Sequence, residues 1–128
     1  MFSDIFTGID RQKKLDTINQ HLIRVKPAID VFETEHAIVV LAEMPNVDKE
    51  DLHVAVENNM LHITGKRIHT VEKGTYLLRE THDVLYERYF ELGNDLDKEK
   101  IEARYNAGIL RVQILKREKA KIQKIEIK

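Results

Sequence analysis

The side chains best suited to chemistry in this chain are its six histidines, at positions 21, 36, 53, 62, 69 and 82. None stands in an H-E-x-x-H pair or beside carboxylates at metal-ligand spacing. His53 and His62 come within diagonal reach if the chain reverses at Asn58-Asn59, but the sequence supplies no third ligand. G-x-S-x-G, P-loop and G-x-G-x-x-G patterns are absent, and with no cysteine there is neither a thiol nucleophile nor a disulfide. The expectation is a protein that is not an enzyme and uses no metal or cofactor. One charge still needs explaining. Alternation along Leu85–Leu92 places Tyr86, Arg88, Phe90 and Leu92 on one side, so the Arg88 guanidinium stands in an apolar row. Unless it snorkels to water, it needs a carboxylate or several carbonyls. That makes Arg88 a candidate structural arginine.

Elements must hold that row, and the composition bounds them. A chain of 128 residues fits one domain with short tails. With 21 basic against 22 acidic side chains, bulk charge draws it to neither nucleic acid nor membrane. No apolar run is long enough to span a bilayer, and Met1-Phe2-Ser3-Asp4 lacks the basic start of a secretion signal, so the expected location is cytoplasmic.

Phe2, Ile5, Phe6 and Ile9, then Leu15, Ile18 and Leu22, recur at helical spacing and predict a short amphipathic arm over 1–26, ended by Pro27. From residue 28 the period changes to two. Ile29–Glu33 reads as a strand, Thr34-Glu35 as a turn, and Ala37–Ala42 as a central strand, because only a strand covered on both faces is apolar throughout. Met44-Pro45-Asn46 closes it, with Asn46 able to take positive φ. Around Asn58-Asn59 a two-residue turn sets Val56 opposite Leu61 and Val54 opposite Ile63, with Leu52 on the same inward face. Residues 65–84 form a long charged segment with a possible strand at Thr75–Glu80, too long for an ordinary connection. Ile101–Tyr105 and Ile109–Leu115 form a last hairpin through Asn106-Ala107-Gly108, with Asn106 and Gly108 able to take positive φ at the turn. A charged tether then leads to Ile125-Glu126-Ile127, whose isoleucines face one way if extended. The pattern predicts an all-β, immunoglobulin-like antiparallel β-sandwich.

Several motifs then follow in one order. Pro27-Ala-Ile-Asp30-Val-Phe-Glu33 is similar to a P-x-x-D-x-x-E opening, Ala42-Glu43-Met44-Pro45 to A-E-x-P-G, and Lys49-Glu50-Asp51-Leu52 to K-E-D-I. Leu61-His-Ile63-Thr-Gly65-Lys-Arg67 matches L-x-I-x-G-x-R, Tyr86–Leu92 resembles F-x-R-x-F-x-L, and Ala103–Leu110 resembles A-x-x-x-n-G-v-L. Together they resemble the α-crystallin domain of small heat-shock proteins. Asn46, Val84, Gly93 and Leu115 depart from the family pattern. Asn46 keeps the turn chemistry, whereas Leu115 stands where a proline often ends the last strand and blurs the handover to the tail.

The resemblance implies an ATP-independent holdase that binds partly unfolded client proteins and keeps them from aggregating. It implies three parts: an N-terminal arm over 1–26, the sandwich over 27–116, and a flexible extension over 117–128. Tyr76, Leu77 and Leu78 would pair with Ile29 and Val31 of a second copy in a strand-swapped dimer. Ile125 and Ile127 would dock in a groove lined by Leu52, Val54, Val56, Ile101 and Ala103 of a neighbouring dimer, building a larger homo-oligomer. Phe2, Ile5, Phe6 and Ile9 would meet clients. The rival from another class is a β-sandwich adaptor docking on a larger chaperone, against which the I-x-I tail and the swap-length loop both speak.

Overall fold

The computed structural model describes residues 22–68, 73–118 and 124–128. Its first described strand, β1 (Ile23–Val25), is followed by β2 (Ile29–Glu33) and β3 (Ala37–Glu43). A single 3₁₀ turn at Lys49–Asp51 leads into β4 (Leu52–Glu57) and β5 (Met60–Arg67). The chain continues through β6 (Val84–Glu91), β7 (Leu96–Asn106) and β8 (Ile109–Lys116). These form two four-stranded sheets in the orders β1-β6-β5-β4 and β2-β3-β8-β7. Side chains from both sheets share one core, with Val40, Ala42, Val112 and Ile114 from one and Leu61, Ile63, Val84 and Tyr86 from the other. That is a β-sandwich, and its core gives the apolar alternation its purpose.

Local chemistry sets the hairpins. Asn58 and Asn59 sit at φ 50° and 65°, the conformation a two-residue hairpin turn requires. The turn fixes Val56 opposite Leu61 and Val54 opposite Ile63, so Leu61 and Ile63 are wholly buried while His53 and Ala55 stay exposed. β3 lies between β2 and β8 and buries both Val39 and Val40, as its two-sided apolar run predicts. Thr34 closes the turn before it, since its Oγ1 accepts the Ala37 amide at 3.0 Å.

Two motif glycines have steric reasons. A Cβ on Gly65 would run into Met44 Cε and crowd Leu52, so this position lets the Met44 side chain fill the core. Gly108 has φ 77°, and a Cβ there would come within 3.2 Å of the Pro45 backbone. Gly108 O accepts the Met44 amide at 2.8 Å, and the Tyr105 hydroxyl donates to Met44 O at 2.7 Å. The last hairpin is therefore seated on the Met44-Pro45 corner.

The structure corrects the sequence reading in two places. The helical arm does not reach Lys26: Ile23–Val25 is a strand running parallel to Val84–Tyr86, the one parallel pairing among the described strands. Two β-branched residues around Arg24 favour extended chain, and the β6 edge receives it. In the last turn the left-handed residues are Ala107 (φ 51°) and Gly108, while Asn106 pairs with Ile109 at the end of the ladder. Thr75–Glu80 forms no strand within the single chain, and Leu77 there is fully exposed. The remainder of the predicted arm, with Phe2, Ile5, Phe6 and Ile9, lies outside the described residues.

Candidate functional site

The residues assigned to the tail groove lie on the inner faces of two edge strands. Leu52, Val54 and Val56 project from β4, and Ile101 and Ala103 from β7, opposite Ile114 and Val112. Leu52, Val54, Val56 and Ile101 are half-buried against the common core, while Ala103 is exposed. Among the described residues each sheet thus ends in an apolar row beside a backbone edge that no further strand pairs, a template for an added strand. Ile125 and Ile127 are 84% and 94% exposed, in a segment with no regular structure.

On the opposite edge of its sheet, β2 leaves Ile29 half-buried and Val31 exposed. A cleft of about 240 Å³ opens beside Val31, walled by Ile38, Val40, Leu61, Phe90 and Ile114. Tyr76, Leu77 and Leu78 are exposed together on the connection before β6. Two complementary surfaces, an open apolar edge and an unattached apolar segment, therefore sit in one chain without meeting.

Arg88 is half-buried on the inner face of β6, opposite Ile63. Its Nη1 donates to the Pro27 carbonyl at 3.2 Å, and its guanidinium lies 5.6 Å from the Phe90 ring centre. A carbonyl and an aromatic face thus accommodate the charge, and the bond ties β6 to the chain entering β2. Arg67, the last residue of the L-x-I-x-G-x-R motif, likewise donates to the Tyr86 hydroxyl at 2.8 Å and to the His82 carbonyl at 3.2 Å.

Sequence reasoning missed a polar cluster on the outer face of the β1-β6-β5-β4 sheet. Glu87 Oε1 accepts from Arg24 at 2.8 Å and its Oε2 pairs with His62 Nε2 at 2.9 Å. The His62 ring stacks on Tyr89, with centroids 4.1 Å apart and planes 4° from parallel. Burial alone would raise the Glu87 pKa, but the His62 hydrogen bond and the Arg24 charge outweigh it and hold the carboxyl below its usual 4.5. Alternation did place Glu87 and Tyr89 on one row and His62 on a wet face. What it lacked was the register that sets His62 opposite Tyr89, and β1 itself. His53 stands opposite Thr64, and His62 is aimed at Glu87.

The Hsp20/alpha crystallin family matches residues 30–128 of the chain. Small heat shock protein C2 of Rickettsia felis is 28% identical over the whole chain and 82% of its own length. Heat shock protein HSP.16.4 of Streptococcus thermophilus is 33% identical over 83% of the chain and 74% of its own. Among solved structures, heat shock protein 16.0 from Schizosaccharomyces pombe superposes with a TM-score of 0.65 at 30% identity, over 81% of this chain and 99% of that one.

Proposed function

Because the chain belongs to the Hsp20/alpha crystallin family, with a chaperone-type role, we propose that it is an ATP-independent holdase that binds partly unfolded proteins in the cytoplasm. The observation that carries this reading is the coexistence of half-buried apolar rows on open sheet edges with an unattached apolar tail. Such edges accept any extended segment with alternating apolar side chains, because the backbone supplies the hydrogen bonds and shallow pockets take the side chains. Neither step requires a nucleotide, a metal or a nucleophile.

The magnitudes favour reversible occupation. Burying Ile125 and Ile127 yields about 3–6 kcal/mol together, and fixing an extended tail takes back about 1–2 kcal/mol per residue ordered. Backbone pairing at the sheet edge returns part of that cost, which leaves a single tail at roughly millimolar affinity. Many tails in one closed homo-oligomer hold it together, because each binds at high effective concentration. A tail that opens leaves the Leu52, Val54, Val56, Ile101 and Ala103 surface free for a client. In the same reading, Tyr76–Leu78 of one copy pairs with the Ile29–Val31 edge of another to make the dimer. The segment ahead of β1, with Phe2, Ile5, Phe6 and Ile9, acts as the client-binding arm and 117–128 as the extension, while Arg88 steadies the edge where the copies meet.

Light scattering of a heat-denaturing test protein, with and without the chain and without nucleotide, tests the reading. Suppressed scattering at near-equimolar chain is expected. Scattering that is unchanged, or suppressed only with ATP and a second chaperone, would favour the adaptor.

A further inference from the structure

The two flanks of β6 are unequally covered. On one, β5 pairs with its whole length, from Arg67 opposite Val84 to Met60 opposite Glu91. On the other, β1 covers only Val84–Tyr86, and among the described residues no strand pairs with the run from Glu87 to Glu91. Beside that open run lies a cleft of about 440 Å³ lined by Arg24, Val25, Lys26, Glu87, Arg88 and Tyr89. Its lining holds three cationic side chains and one carboxylate, with Arg24 bonded to Glu87 and Arg88 to the Pro27 carbonyl, while Val25 and Tyr89 supply apolar surface.

The hold on β1 is slight. Its pairing is parallel, the weaker ladder per residue, and every one of its residues is exposed, Ile23 by 54% and Val25 by 37%. Apolar burial therefore contributes little, and the Arg24–Glu87 ion pair is what fastens its side chains to the sheet. His62 and Tyr89 keep the Glu87 carboxylate in place for that bond. A short strand held this way, next to an open stretch of the same edge, can be displaced: an incoming segment seats on the open run first and then extends over Val84–Tyr86.

We propose that the outer edge of β6 is a second strand-accepting site, taking an extended segment with acidic side chains from a partly unfolded polypeptide, with β1 as its displaceable cover. The acidic preference follows from the excess of positive charge in the cleft. The site is separate from the β4 and β7 edges assigned to the tail, and it depends on the holdase reading only for the origin of the segment.

Hydrogen exchange of the full chain tests it, with a short synthetic peptide alternating Val and Glu as the probe and a twin alternating Val and Lys as the control. The Val-Glu peptide is expected to protect amides between Val84 and Glu91. Glu87→Gln, which frees β1 and leaves all three cations, should tighten its binding by about two- to fivefold, the worth of one partly exposed ion pair. Equal binding of the twin would overturn the charge preference. Protection at Leu52–Glu57 alone, or a Glu87–Glu91 run already protected without peptide, would overturn the site. If the peptide binds β6 as expected but the chain fails to suppress scattering of the denaturing test protein, the edge stands and the holdase reading falls.

Discussion

The outermost strands of one sheet are held in opposite ways. β4 follows from its own hairpin: a turn with two asparagines at positive φ aligns it antiparallel with β5, and its inner row packs on the core. β1 has no hairpin turn to β6, no buried side chain, and one ion pair beside a three-residue parallel pairing. An edge fixed by turn chemistry and burial is part of the fold, whereas an edge fixed by a surface charge is a movable part. Stability should therefore be concentrated at the β4–β5 hairpin and be nearly indifferent to β1.

The largest effect should come from the core under β4. Ile63→Ala removes a wholly buried side chain opposite Val54 and is expected to cost about 2–5 kcal/mol in chemical denaturation. Gly65→Ala should cost about 1–3 kcal/mol, because its Cβ displaces Met44 from the core. A loss below that range would show that the Met44 side chain repacks freely. Asn59→Ala, at φ 65°, should cost about 1–2 kcal/mol, the penalty of a left-handed residue with a Cβ and no local hydrogen bond. If any of these three variants opened β1 more than β4 in hydrogen exchange, the contrast between the two edges would fail.

The same contrast explains what was legible beforehand. The strands β2, β3, β5 and β8, the Asn58-Asn59 turn and the inward row of the first hairpin all follow from alternation and turn chemistry, which act between neighbours in sequence. The inner-face position of Arg88 was equally legible from its row. The pairing of β1 was not, since three exposed residues carry little periodic signal and their partner lies about sixty residues away. The Glu87 cluster stayed hidden for the same reason: His62, Glu87 and Arg24 belong to three strands whose register is decided only on folding. In the last turn the sequence offered Asn106 and Gly108 for positive φ, and ladder geometry kept Gly108 but put Ala107 in place of Asn106.

The smallest expected effect is the most local, because it acts through the Glu87 cluster that joins β1 to the sheet. Glu87 has its pKa lowered in the folded protein: burial opposes the shift, but the His62 hydrogen bond and the Arg24 charge prevail. A carboxyl whose folded value lies below its unfolded one stabilises the fold above its usual 4.5 and loses that contribution as the pH falls through the lowered value. The groups facing it are Arg24 from β1, His62 and Thr64 from β5 with Lys66 further along that face, and Tyr89 from its own strand. Arg24 remains charged throughout, so the Arg24–Glu87 pair breaks when the carboxylate takes up its proton. The Arg24 side chain is 66% exposed against 15% for Glu87, and solvent screening limits such a pair to about 0.2–1 kcal/mol. Global unfolding in acid will contain contributions from many other carboxylates, so the informative measurement is local. Below pH 4.5, exchange at Val84–Tyr86 should rise before that at Leu61–Ile63, and in Glu87→Gln it should already be raised at neutral pH and change little on acidification. Parallel pH profiles for the variant and the unmodified chain would mean that backbone pairing, and not the carboxylate, holds β1 in place.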